Sequence, residues 1–195
     1  MSLLHKIGNK PIIAAIRKMS DVPIALNSNV DNLFFMGGSI NDIMESVRLT
    51  KEAGKRSFLH LDLIRGLSST DKEAVEFVAK MVQADGIVSP KSHVIKAAKQ
   101  AGLLGILHVF IIDSQALDNG LRSVGQTMPD GIEIMPGIAP KVIERFAKAN
   151  ESIPIIASGL ISTVEEAREG LLAGATSLSV SENSLWLKGF SDLLP

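Results

Sequence analysis

The chain has no cysteine, no tyrosine, a single tryptophan (Trp186) and only 4% aromatic residues. Without cysteine there are no disulfides, no thiolate metal sites and no cysteine nucleophile. So few aromatics leave no stacking platform of the kind that single-stranded RNA binders use. No apolar run approaches the ~18 residues needed to cross a bilayer, and the N-terminus lacks the pattern of a secretory signal. Neither sign of charge is in excess. With 20 basic and 21 acidic residues the net charge is −1, so no global field draws the chain to nucleic acid or membrane. A cytoplasmic protein is expected.

Hydrophobic residues make up 46% of 195 residues, enough for one compact domain spanning residues 1–195. Short apolar runs occur at 11–16, 32–36, 57–64, 86–88, 105–112, 131–135, 153–157 and 177–181. Amphipathic stretches lie between them. "TDKEAVEFVAKMVQ" places Val75, Val78, Ala79 and Val82 on one face and opens on a Thr70–Glu73 capping-box pattern. "STVEEAREGLLAGA" repeats that device with Thr163 and Glu166. "SINDIMESVRLTKEAG" and "SPKSHVIKAAKQAG" both finish on glycine, and Pro90 suits a first helical position in the second. "SDVPIALNS" completes the series as a short helix carrying Pro23. Eight strand–helix units predict an α/β fold, a single (βα)8 TIM barrel with short loops. A doubly wound open sheet fits the alternation as well. Eight units and polar residues inside the strands favour the barrel.

Alternation assigns side chains to faces. Along 57–64, Leu59, Leu61 and Leu63 point towards helices, while Phe58, His60 and Asp62 point to the axis. Glu133 points inward between Ile132 and Ile134, and His108 between Leu107 and Val109. Arg17 continues the phase of Ile13 and Ala15. A buried charge costs several kcal/mol unless it is paired or meets a ligand, so these residues outline a pocket. Each has a plainer reading. The histidines are commonly hydrogen-bonded core residues, and Arg17 could neutralise Asp62 or Glu133. Inward carboxylates are harder to explain away.

The seventh and eighth strands both stop on small groups, Ser158-Gly159 and Ser179/Ser181. In a (βα)8 barrel the loops there often hold phosphate, with backbone N–H groups and a helix N-terminus. Relief of crowding at the barrel core is the alternative. His60, Asp62, His108 and Glu133 show no metal-ligand clustering in the sequence, and no inward lysine is evident on a strand. No metal, cofactor or catalytic residue is therefore expected. An enzyme acting on a small phosphorylated sugar or polyol, as an isomerase or lyase, is the second hypothesis. Basic residues gather at Lys51, Lys55 and Arg56 and at Lys91, Lys96 and Lys99, where a solvated face is the ordinary reading.

"HLDLIRGLSSTDKEAVEF", "VFIIDSQAL", "DGIEIMPGIAPKVI", "PIIASGLI" and "SLSVSENSLW" together resemble the glycerol uptake operon antiterminator family along nearly the whole chain. The resemblance implies a TIM-barrel regulator that responds to glycerol 3-phosphate and acts on leader RNA of glycerol-utilisation genes. Glycerol 3-phosphate and leader mRNA are its implied partners. Two positions depart from the family pattern: Ser158 stands where a glycine is usual, and Arg65 where an acidic residue is usual. The expected phosphate contacts are Ser158, Gly159, Ser179 and Ser181. Arg17, His60, Asp62 and Glu133 are expected at the polyol end, and Arg65 and Lys91 are candidates to face RNA.

Overall fold

The computed structural model describes residues 8–194. Eight parallel strands close into one barrel in chain order. They are β1 (Ile12–Ile16), β2 (Asn32–Phe35), β3 (Arg56–His60), β4 (Gly86–Ser89), β5 (Leu104–Phe110), β6 (Gly131–Met135), β7 (Ile155–Ser158) and β8 (Ser177–Val180). The seam pairs Ile12 with Leu178 and Ala14 with Val180. Eight α-helices follow among the described residues: α1 (Val22–Leu26), α2 (Ile40–Glu52), α3 (Lys72–Phe77), α4 (Ser92–Gln100), α5 (Ser114–Thr127), α6 (Pro140–Ala149), α7 (Val164–Leu172) and α8 (Phe190–Leu193). The expected (βα)8 barrel is the observed fold.

Outward strand residues such as Leu59, Ile132 and Leu178 pack beneath the helices with Ile43, Val78, Ile95, Phe146 and Leu171. Inside, Ile13, Phe34, Phe58, Val88, Ile106 and Ile156 form a separate buried cluster that plugs the barrel. Gly86 makes room for it: a Cβ there would stand 2.7 Å from the Phe58 ring and from the Leu104 carbonyl.

Three local expectations are corrected. The strand expected at 57–64 stops at His60, and Leu61–Leu63 is a 3-10 turn. Leu61 remains buried, but Leu63 turns out to solvent at the mouth instead of packing beneath helices. Pro90 precedes the cap, since Lys91 is the N-cap of α4. The Thr70–Glu73 box does not form. Asp71 caps α3 without a side-chain bond, while the Thr70 hydroxyl is engaged with Ser68 and Asp71. Both halves of the Thr163–Glu166 box are made, as they are at Ser39 and Asp42 on α2.

These caps give a paired test. Thr163→Ala should destabilise the chain by about 1 kcal/mol, the usual cost of losing a cap, and Thr70→Ala by much less. Urea unfolding followed by circular dichroism reads the difference. Equal losses would place a working cap at Thr70.

Candidate functional site

The plug leaves the C-terminal mouth open above it. There a cavity of about 590 Å3 is lined by Arg17, Ser158, Gly159, Ser179 and Ser181, together with Met36, Leu63, Met135 and Leu160. All four residues singled out for phosphate share this wall because β7 and β8 are neighbours, with Ser158 opposite Ser179. Gly159 has φ +83°, where an L side chain is strained. A Cβ at Gly159 would also sit 2.9 Å from Met135. Gly137 supports the loop from below, its N–H donating to the Gly159 carbonyl at 3.1 Å. The Ser179 hydroxyl is buried without a hydrogen-bond partner. Arg17 is exposed on the rim and makes no ion pair with any described carboxylate.

Leu160 was not anticipated. It adopts φ +64° and is 71% exposed, so no packing compensates its left-handed backbone. It projects beside the serines as part of an apolar rim with Leu63 and Met36. Nothing in its residue type announces that position.

Beneath the cavity lies a polar layer. Glu133 on β6 is fully buried and stands beside His108 on β5 in the sheet register. His108 Nδ1 hydrogen-bonds Glu133 Oε2, and His60 Nε2 on β3 lies 3.3 Å from the same oxygen. Glu133 Oε1 has no hydrogen-bond partner. The sequence showed no clustering here, yet one ligand-type atom from each of these three residues lies within 4.8 Å of the others. Spacing along the chain concealed a convergence that only closure produces. Burial would push the Glu133 carboxyl up, but the adjacent His60 ring and the His108 hydrogen bond outweigh it and hold Glu133 below the usual carboxylate range. Burial lowers His60 more strongly than Glu133 raises it.

Asp62 sits to one side, on the 3-10 turn after β3. Its carboxylate accepts from Ser89 Oγ at 2.6 Å and pairs with Lys91 Nζ at 2.9 Å. Lys91 also donates to Ser69. A lysine thus stands at a strand end of the mouth after all, contributed by the helix cap and not by a strand. Burial raises Asp62, and the Ser89, Lys91 and Ser69 hydrogen bonds more than offset it, so its carboxyl lies below its ordinary value. Arg65 is exposed on the next loop, its backbone bridging Ser39.

Three of the other basic residues make structural bonds. Lys55 Nζ donates to the carbonyls of Ser28 and Val30, and Lys99 to that of Met128 at 2.6 Å. Lys51 meets Gln83 at 3.2 Å. Trp186 is buried, donating to the Val180 carbonyl.

A depressed carboxyl stabilises the fold above its unfolded pKa and loses that contribution as pH falls through the folded value. Lys91→Met removes one cause at Asp62. The variant should lose up to about 1 kcal/mol at neutral pH, given the pair's partial exposure, and less in acid. Urea unfolding at both pH values checks this. An equal loss at the two would remove Asp62 from the account.

Fold and site define a (βα)8 barrel whose mouth cavity is lined by small hydroxyls, Gly159 and Arg17. The model of the glycerol-3-phosphate responsive antiterminator family matches residues 12–186, and the chain belongs to that family. It is 36% identical over 186 residues to YgcP, an uncharacterized protein of Escherichia coli (strain K12), covering 95% of this chain and 96% of that one. A glycerol uptake operon antiterminator regulatory protein from Listeria monocytogenes has a similar structure, with TM-score 0.86 and 31% identity over 91% of this chain and 95% of that one. A glycerol uptake operon antiterminator-related protein from Thermotoga maritima gives TM-score 0.79 and 32% identity, covering 91% and 98%.

Proposed function

We propose that the mouth cavity binds glycerol 3-phosphate and that the loaded protein acts on leader RNA of glycerol-utilisation genes as an antiterminator. The observation that carries this reading is the meeting of Ser158, Gly159, Ser179, Ser181 and Arg17 on one wall. The phosphate lies against the Gly159 backbone and the serine hydroxyls, with Arg17 supplying opposite charge. The polyol end points down towards Glu133 and His60, whose unpartnered atoms await hydroxyl groups. Asp62 borders that end, its charge balanced by Lys91. Family membership favours a regulator over an enzyme. A carboxyl held below the usual carboxylate range, as at Glu133, is poorly matched to general-base work near neutral pH, which weakens the alternative of phosphosugar catalysis.

Calorimetry tests the placement. Arg17→Ala should weaken glycerol 3-phosphate binding roughly ten- to a hundredfold, as expected for a charge-assisted hydrogen bond of about 1.5–3 kcal/mol. Gly159→Leu should weaken it at least as much by closing the approach to the backbone. Wild-type affinity in both folded variants would move the ligand elsewhere.

The output follows from linkage. A nearly neutral chain has little non-specific attraction to RNA, so RNA must meet a surface that the ligand helps to order. The mouth loops carrying Arg65 and Lys91 border the pocket and fit that role. At ~100-fold excess over its dissociation constant, a ligand selective for the competent state contributes about 2.7 kcal/mol, roughly a hundredfold in RNA affinity. RNA must tighten ligand binding by the same factor. Anisotropy titrations of leader RNA with and without glycerol 3-phosphate measure it, and the affinity should fall only shallowly with salt. Equal RNA affinities would end the coupling model and bring the enzyme reading forward.

A further inference from the structure

The buried polar layer leaves polar atoms without partners. Glu133 is fully buried, and among the described residues no lysine or arginine nitrogen lies within 4.0 Å of it. Glu133 Oε1 and His60 Nε2 are buried without a hydrogen-bond partner. The hydrogen bond between His108 and Glu133 Oε2 satisfies neither atom. We propose that His60, His108 and Glu133 form a binding site for a divalent transition metal, with zinc the best-matched ion. Two imidazole nitrogens and one carboxylate oxygen are the donor set that borderline divalent ions favour.

Geometry supports the assignment. Bonds of about 2.0–2.1 Å place two tetrahedral zinc ligands about 3.3–3.4 Å apart, and His60 Nε2 stands 3.3 Å from Glu133 Oε2. The third group lies within the same 4.8 Å cluster. His108 is closer to Glu133 than two ligands of one ion can be, so its hydrogen bond must open as the ion enters. The unpartnered Glu133 Oε1 is the second oxygen available for that rearrangement. The three ligands come from β3, β5 and β6, rigid strands that fix their separation better than loops would. Three protein ligands leave a fourth position for water or for an oxygen of a bound molecule. The metal site shares His60 and Glu133 with the proposed polyol end, but it is tested without glycerol 3-phosphate, so either reading can fail while the other stands.

The purified full chain is dialysed with chelator, then titrated with zinc or cobalt alone. Stoichiometric uptake by elemental analysis, the visible absorption of four-coordinate cobalt and a raised melting temperature are expected. His60→Asn and Glu133→Gln should each reduce affinity by more than the roughly 10–100-fold that an outer-shell change costs. If those variants do not fold, the cobalt spectrum of the wild-type chain still decides: strong visible absorption marks the buried four-coordinate site, and the weak absorption of six-coordinate cobalt would overturn it. A folded wild-type chain that takes up no metal and shows no thermal shift would overturn the proposal. So would folded variants that keep wild-type affinity, which would place the ion at a surface histidine such as His93.

Discussion

Closing eight short strands into one barrel forces inward side chains to fill a space of fixed width, and the rest of the structure follows from how that space is filled. Here two phenylalanines, Phe34 and Phe58, lie with ring centroids 5.2 Å apart and tilted at 51°. With four aliphatic residues they complete the plug. Because the plug occupies the lower part of the interior, inward residues further along each strand form a floor. That floor carries His60, His108, Glu133, Ser158 and Ser179, all buried. The apolar plug keeps water from reaching the floor from below, so its charge and orphaned hydroxyl are open to satisfaction only from within the layer or from the mouth.

Within that floor the residues divide by whether they reach the cavity. Ser158 and Ser179 line the cavity, whereas Glu133 and the two histidines lie beneath it. The rings of His60 and His108 meet edge to face with centroids 5.5 Å apart, and Phe110 covers His108 at 4.3 Å. Aromatic edges therefore hold the imidazoles in place around the carboxylate. Lys91 at the rim is committed to Asp62.

Period-two alternation was enough to place His60, His108 and Glu133 on the inner face, because strands impose that period wherever they occur. Their convergence was not legible, since it depends on register and closure: His108 opposite Glu133 is a property of two strands at once. Asp62 was drawn into the same face because Leu61 and Leu63 prolong the apolar alternation past the true strand end. Capping patterns had the same weakness. Thr163 and Glu166 read correctly, while Thr70 and Glu73 show the same spacing and fail because Ser68 and Asp71 compete for the threonine hydroxyl. Local motifs are decisive only where no neighbour offers a better partner. Leu160 is the opposite case, a conformation set by the chain around it and unannounced by its type.

The mouth loops are linked in two runs, from the first to the fourth and from the fifth to the seventh. Met36 N–H donates to the Ile16 carbonyl, linking the first two loops. Ser39 and Arg65 bridge the second and third, and the Asp62–Lys91 pair joins the third to the fourth. Ile111 N–H donates to the Met135 carbonyl, and Gly137 N–H to the Gly159 carbonyl, connecting the fifth, sixth and seventh. Each link is an ion pair or one or two hydrogen bonds, each bond worth about 1 kcal/mol. Links of that size are weak enough to rearrange singly and numerous enough to bias one another. The Gly159 carbonyl already accepts a bond from the neighbouring loop. The fixed plug below leaves the rim as the path between loops, and the run that holds Gly159 is distinct from the one that holds Arg65 and the Lys91 pair.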